Sequence, residues 1–296
     1  MEAIRPFLEV QGGGPSAQWA VTTAQRLGCK VCVGYPEIDE ADQRYYNSLL
    51  VVERTGKVVH NYRKRFLYYT DETWASEGDA GRGFLSLEFD SVTNMDVPES
   101  TTHRVPTTFG ICMDINPYKF QAPFTDWEFA NRVLQSRSQL VILSAAWLTV
   151  DGRELLSTSS QQPDMETFNY WIQRFWPLLE RRMTHDGTVD GSVSPFEKSI
   201  VIVFANRTGV EEGTGGSNPT AIYAGTSTIV AISQKLGSNT TRDSSGDTSS
   251  KPRDVKIHCW EIKGAREEGI CFADTQSDPK MTFIAVNRSV DNNDDS

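Results

Sequence analysis

The spacing of apolar positions predicts strands alternating with helices, interrupted by hairpins. Residues 15–28, PSAQWAVTTAQRLG, put Trp19, Ala20, Ala24 and Leu27 at helical spacing, with Pro15 in the first turn and Gly28 as the stop. A strand is expected at 29–35. A polar connection, EIDEADQRYY, leads into NSLLVVERTGKVVHNYRK, two apolar stretches around a tight turn at Thr55-Gly56, which reads as a β-hairpin. Further strands are expected at 84–89 and 105–112. A helix over 126–138 then precedes the apolar strand 139–146, and a helix over 165–184 precedes a strand at 199–205. A hairpin is expected near 221–232, and VKIHCWEI and MTFIAV read as late strands that rejoin the same domain. This order predicts a mixed sheet in a layered α/β fold. The stretch 234–254 is rich in Ser, Thr, Gly and Asp and is expected to be a disordered insertion.

Composition narrows the function classes. The chain has 296 residues, 38% of them apolar, which suits one large domain or two small ones with a sizeable core. A net charge of −10 argues against a nucleic-acid or anionic-membrane surface, because both need basic patches. Part of that excess sits in the acidic tail SVDNNDDS. No segment approaches the roughly 20 apolar residues of a membrane span. The longest apolar run, LVILSAAWLTV, reads as a buried strand entering a loop. The start, MEAIRPFLEV, lacks the pattern of a signal peptide. Five cysteines, an odd count, favour free thiols in a reducing cytoplasm. Cys29 and Cys32 form a CxxC, but no second ligand pair accompanies it among His60, His103, His185 and His258. Both cysteines are read as structural, and neither metal nor cofactor is expected.

The candidate chemistry lies in two stretches. TTFGICMDINPYKF reads as a buried strand ending at Cys112, after which Asp114 and Asn116-Pro117 turn the chain. A cysteine there is either a small core residue or a nucleophile, and only its partners can decide. YRKRFLYYTDETWASEG places Lys64 and Glu72 among aromatics where the hairpin ends, an unusual mixture for a solvated loop. A Cys-His pairing is weaker, since the histidine nearest in sequence, His103, falls in the polar stretch ESTTHRV, read as a loop.

Together these stretches resemble the nitrilase, or carbon–nitrogen hydrolase, superfamily. YRKRFL is similar to its lysine motif, TDETW to the region of its second glutamate, and FGICMD to its nucleophile motif. LVILSAAW, and FANRTGVEE followed by YAGTS, are similar to later motifs, so the resemblance runs from about Trp19 to Ile232. GPSAQWA, GCKVCVGYPE and MDINPYKFQAPF further resemble the fungal protein N-terminal amidase branch, which converts N-terminal asparagine and glutamine to the acids and feeds an N-end degradation rule. The resemblance implies an αββα layered sandwich with mixed sheets over 1–233 and 255–288; by composition 289–296 reads as an acidic tail. It implies a Cys112 nucleophile, with Lys64 lowering the thiol pKa and stabilising an oxyanion, and Glu72 orienting Lys64 or a substrate amine. The backbone N–H of Met113 would be a second oxyanion donor. The substrate would be a small amide or a protein N-terminus, and a homo-oligomer stays open.

One part of the family pattern is not matched. The family's general base is a glutamate ending an early strand, and VCVGYPE, ending in Glu37, looks like that motif. However, PSAQWAVTTAQRLG already corresponds to the helix that follows the base, and CKVCVG to the strand after that. The expectation is therefore that a first βαβ unit is missing, with a neighbouring strand edge left unpaired and the chain nearly inactive. Glu37 is then either a loop carboxylate near the site mouth or the base of a rearranged site. The alternative to an enzyme is an inactive nitrilase-like binding or scaffold protein.

Overall fold

Two sheets lie face to face in the computed structural model, which describes residues 4–90, 102–150, 159–181, 183, 197–213, 220–235 and 253–284. The first sheet has four strands, β1 (Glu9–Val10), β2 (Val31–Asp39), β3 (Arg44–Val52) and β4 (Val58–Arg63), in that order. The second contains β5 (Phe84–Asp90), β6 (Thr102–Ile111), β7 (Leu140–Ala145), β8 (Glu197–Asn206), β11 (Thr228–Lys235), β12 (Arg253–Ile262) and β13 (Met281–Ile284). Its order is β13-β12-β11-β8-β7-β6-β5. The short β9 (Val210–Glu211) and β10 (Ala221–Ile222) pair with each other. Within the large sheet β6, β7 and β8 run parallel, joined by helical crossovers, while β5, β11, β12 and β13 are antiparallel to their neighbours.

Period-two alternation sorts the side chains into layers. Leu49, Val51 and Tyr62 of the small sheet meet Leu87, Phe109 and Ile111 of the large one in a cluster between the sheets. On the outer face of the small sheet, α1 (Pro15–Leu27) packs Ala17, Ala20 and Ala24 against Val31, Tyr35, Leu50 and Val52. On the outer face of the large sheet, α2 (Glu128–Gln135), α3 (Met165–Gln173) and α4 (Trp176–Glu180) cover the main core, which includes Phe129, Val141, Trp171, Phe175, Ile202 and Phe204. The layers therefore run helix, sheet, sheet, helix, the αββα sandwich that the motifs implied.

Several expectations need correction. The buried face of α1 is Ala17, Ala20 and Ala24, whereas Trp19 and Leu27 are 57% and 62% exposed. Small residues let the helix axis approach the sheet closely and turn the large ones outward. The strand expected at 29–35 runs from Val31 to Asp39, because β2 and β3 keep pairing through Asp39↔Arg44 and absorb most of the polar connection. The long helix over 165–184 is broken at Arg174 and Phe175: Pro177 has no N–H to donate to the carbonyl four residues back, and it suits the first turn of a new helix starting at Trp176. No hairpin forms at 221–232: residues 221–222 pair with 210–211, and 228–235 pair with β8 and β12. His103 lies within β6, not in a loop. At about 3.3 Å per residue the length of that strand separates it from Cys112. Residues 234–235 and 253–254, assigned to the insertion, are strand; the rest of that stretch and the acidic tail lie outside the described residues.

β1 covers only the Glu37–Ile38 end of β2. From Val31 to Pro36 that edge of β2 has no strand partner among the described residues. No helix among the described residues is long and apolar enough to cross a membrane.

Gly110, two residues before Cys112, allows α2 to pack against the large sheet. A Cβ there would meet Phe129 Cε2 at 2.6 Å and Leu143 Cδ2 at 2.7 Å. Gly110→Ala is expected to destabilise the fold by about 1–3 kcal/mol through overpacking, measured by urea unfolding.

Candidate active site

The end of β4 decides which charges face which layer. Tyr62 points into the inter-sheet cluster, so Asn61 and Arg63 point to the α1 side and Lys64 returns to the inner side. Lys64 is 2% exposed and donates to Asp71 Oδ2 at 2.5 Å. Asp71 also accepts from the Tyr68 N–H at 3.0 Å and the Asn47 side-chain amide at 3.2 Å. The Lys64 N–H donates to the Asn47 carbonyl, which fixes the start of the loop. Glu72, expected to orient Lys64, is exposed on the same 3₁₀ turn, Asp71–Thr73. The partner of Lys64 is its neighbour Asp71.

Cys112 follows the last residue of β6 and opens a 3₁₀ turn, Cys112–Ile115. Its φ is 45°, a left-handed conformation that is uncommon for a non-glycine residue and recurs at functional sites. The turn is tied to the lysine loop through Asp114, a buried carboxylate. Asp114 Oδ2 accepts from the Ile111 N–H at 2.7 Å and the Tyr62 hydroxyl at 2.8 Å. Its Oδ1 accepts from the N–H groups of Phe66 at 2.9 Å and Arg65 at 3.2 Å. Parallel register levels the ends of β6, β7 and β8, through Ile111↔Ser144 and Ala145↔Asn206. Just past β7, the Ala146 backbone N–H favours the charged form of the Cys112 sulfur. Asn206 closes this end of the sheet by bonding both backbone groups of Trp147 and the Gly225 carbonyl.

The thiol of Cys112, half-buried, has its pKa raised. Burial is the main cause, with Asp71 and Asp114 adding to it; Lys64 and the Ala146 N–H pull the other way. Lys64 thus acts in the expected direction without overcoming desolvation. Met113 lies in the first turn of the 3₁₀ segment, where leading N–H groups have no partner inside the helix. In the CxxC pair, Cys29 is exposed, while Cys32 packs against the inter-sheet cluster and burial pushes its pKa up to about 12.

Glu37 is neither a loop carboxylate nor placed to serve Cys112. It is a fully buried strand residue on the α1 side of the small sheet. Its Oε1 accepts from Arg63 Nε and Nη2 at 3.0 and 2.5 Å. Its Oε2 accepts from Ser48 at 2.6 Å and Asn61 at 2.7 Å. Burial alone would raise its pKa, but these bonds from Arg63, Ser48 and Asn61 outweigh it and hold the carboxyl low. A carboxylate so satisfied and so oriented is a poor proton acceptor for a thiol on the other face of the sheet.

Residues 2–116 match the family model described as carbon-nitrogen hydrolase. Over those residues the chain is similar to that family. It is 30% identical over 234 residues to a protein N-terminal amidase of Saccharomyces cerevisiae, an alignment covering 60% of this chain and 51% of that one. It is 29% identical over 248 residues to a protein N-terminal amidase of Schizosaccharomyces pombe, covering 79% and 73%. The chain thus spans about half the length of the Saccharomyces relative, 51%. Among solved structures, a crystal structure of an N-terminal amidase superposes with a TM-score of 0.68 at 22% identity, over 96% of this chain and 85% of that one. A crystal structure of N-terminal amidase with an Asn-Glu peptide gives 0.66 at 23%, over 90% and 82%. The chain therefore shares the fold of those structures.

Reading the motifs one by one misses Asp71 and most of the role of Asp114. TDET presents two adjacent carboxylates, and only the course of the 3₁₀ turn decides which one faces Lys64. Asp114, visible as a turn residue, has partners far away in sequence.

Asp71→Ala is expected to destabilise the fold by about 3–5 kcal/mol, because it leaves Lys64 buried and unpaired. Glu72→Ala, on the surface, should stay within about 0.5 kcal/mol of the parent. Urea unfolding of both variants checks the assignment. Glu37 gives a pH signature. Unfolded, its carboxyl titrates near 4.5, and folding lowers that value. The stabilisation is complete above the unfolded value and is lost as pH falls through the folded one. Glu37→Gln should therefore lower stability at neutral pH and flatten its decline below about pH 4.5, followed by urea midpoints between pH 3 and 7.

Proposed function

We propose that Cys112 is the nucleophile of an amidohydrolase that converts N-terminal asparagine or glutamine of proteins to the acid. The observation that carries this reading is that Cys112 sits at the level ends of three parallel strands, on a turn that Asp114 ties to the loop of the buried Lys64. The names of the relatives, protein N-terminal amidase, support the substrate class. Crystal structures of N-terminal amidase with Asn-Glu and Gln-Val peptides support it for those proteins.

In this reading the thiolate attacks the side-chain amide carbon and the carbonyl oxygen becomes an oxyanion. The positive charge of Lys64 and the Met113 N–H stabilise it. Collapse breaks the C–N bond, ammonia leaves with the proton it gains, and a thioester remains. Water hydrolyses the thioester to the carboxylic acid and returns the thiol. Glu72, exposed on the lysine loop, is the carboxylate that this reading pairs with a substrate ammonium. Free cysteines throughout accord with a cytoplasmic enzyme serving an N-end degradation rule.

A second reading, a binding or scaffold protein without turnover, is favoured by one observation. The carboxylates whose charge reaches Cys112 are Asp71, engaged with Lys64, and Asp114, occupied by four donors. Neither is free to take the thiol proton.

Ammonia release separates the two. Peptides beginning with Asn or Gln should release ammonia, and peptides with the same residues placed internally should not. Cys112→Ala should abolish release, while Cys29→Ala and Cys32→Ala retain most of it. Equal loss in all three folded variants would overturn the nucleophile, and no release by folded protein that still holds the peptide would favour the second reading.

A further inference from the structure

Two side chains of α3 and its end hold the segment that leaves the Cys112 turn. Tyr170 and Arg174 lie four residues apart and so share a helix face. Arg174 Nε donates to the Ile115 carbonyl and its Nη1 to the Phe124 carbonyl, each at 2.6 Å. Tyr170 donates to Asn116 Oδ1 at 2.5 Å. Ile115 is the last residue of the 3₁₀ turn that Cys112 opens, where carbonyls have no partner inside the helix. Asn116 in turn bonds Met113 twice, through its N–H to the carbonyl and through its amide to the sulfur.

The guanidinium of Arg174 is fully buried, and its charge is poorly compensated. Glu128 Oε2 stands 3.7 Å from Nη2, too far for a hydrogen bond, and Nη2 has no hydrogen-bond partner among the described residues. An apolar side chain of similar length would fill this space without desolvating a charge. What the guanidinium adds is a planar fork that grips two carbonyls at once. The helix that carries it is fixed at its other end as well. Asp164, 3% exposed, caps α3 by accepting from the N–H and hydroxyl of Thr167, and it also accepts from the Thr149 hydroxyl, beyond β7. α3 thus forms a strut from the segment after β7 to the turn after β6.

We propose that Arg174, aided by Tyr170, is a positioning residue that holds the Cys112 turn from the helix side and so aims the Cys112 sulfur. Asp114 takes N–H groups at the start of the turn and in the lysine loop, and Arg174 takes the carbonyl at the turn's far end. The left-handed φ of Cys112 persists because both ends are restrained. The strongest charge effects on the thiol come from Lys64, Asp71 and Asp114, so Arg174 acts on it through the backbone. The consequence for turnover rests on the amidase reading above, and the consequence for the thiol does not.

Iodoacetamide labelling of the full chain, mapped by peptide mass spectrometry, tests this beside ammonia release from peptides beginning with Asn. Arg174→Met should loosen the turn, so that half-buried Cys112 labels roughly tenfold faster while buried Cys259 keeps its slow rate. In the same variant kcat should fall at least about tenfold with KM within about twofold, the signature of a misaimed nucleophile. Arg174→Lys, whose ammonium can hold one carbonyl, should recover part of both. Tyr170→Phe removes only the Asn116 bond and keeps the test open where Arg174→Met does not fold; it should move labelling and kcat in the same directions by about threefold. Unchanged Cys112 labelling in these variants would overturn the proposal, as would faster labelling with kcat intact. Equal acceleration at Cys112 and Cys259 would show a general loosening of the fold and overturn it too. A parent protein that releases no ammonia would overturn the amidase reading, and labelling alone would then decide the role of Arg174.

Discussion

The carboxylate of Asp114 holds the two halves of the candidate site in one frame. It reaches from the Cys112 turn to the loop that begins at Lys64, and its acceptors are occupied by three backbone N–H groups and the Tyr62 hydroxyl. A buried carboxylate is costly unless its lone pairs are satisfied, and here the satisfaction comes from both sheets. The strained conformation of Cys112 can then persist, because relaxing it would strip donors from Asp114 or acceptors from the loop.

The same economy of geometry governs β4. Adjacent residues of a strand point to opposite faces, so Arg63 and Lys64 serve different layers. Arg63 neutralises Glu37 on the α1 side, its guanidinium lying 3.9 Å from the centre of the Tyr46 ring. Lys64 crosses to the inner side, where Asp71 pairs with it and Cys112 feels its charge. A shift of one residue in the β3–β4 register would exchange these roles and leave two buried charges without partners.

The layered fold was largely legible, because period-two and period-3.6 patterns report which faces are buried. What they do not report is how closely elements approach. That is why the helical spacing of Trp19, Ala20, Ala24 and Leu27 does not separate the contacting alanines from the exposed large residues, and why the helix break before Pro177 needs backbone geometry to locate. Cys112 and Lys64 could be singled out because their motifs are local. Glu37 was ambiguous, since a Pro-Glu strand end looks the same whether its carboxylate faces the site or an arginine on the opposite side. Asp71 and Asp114 depend on contacts across 3₁₀ turns and between sheets, which spacing along the chain does not encode.

The central claim is that Cys112, supported by Lys64, is the atom to which substrate becomes covalently attached. Intact-mass spectrometry after rapid acid quench of the protein with a peptide beginning in Asn or Gln tests it most directly, with peptide mapping to place the adduct. The account predicts an adduct equal to the peptide less ammonia, on Cys112 alone, and absent when Lys64 is replaced by Met. An adduct on Cys29 or Cys32, or one that persists on Cys112 without Lys64, would contradict it.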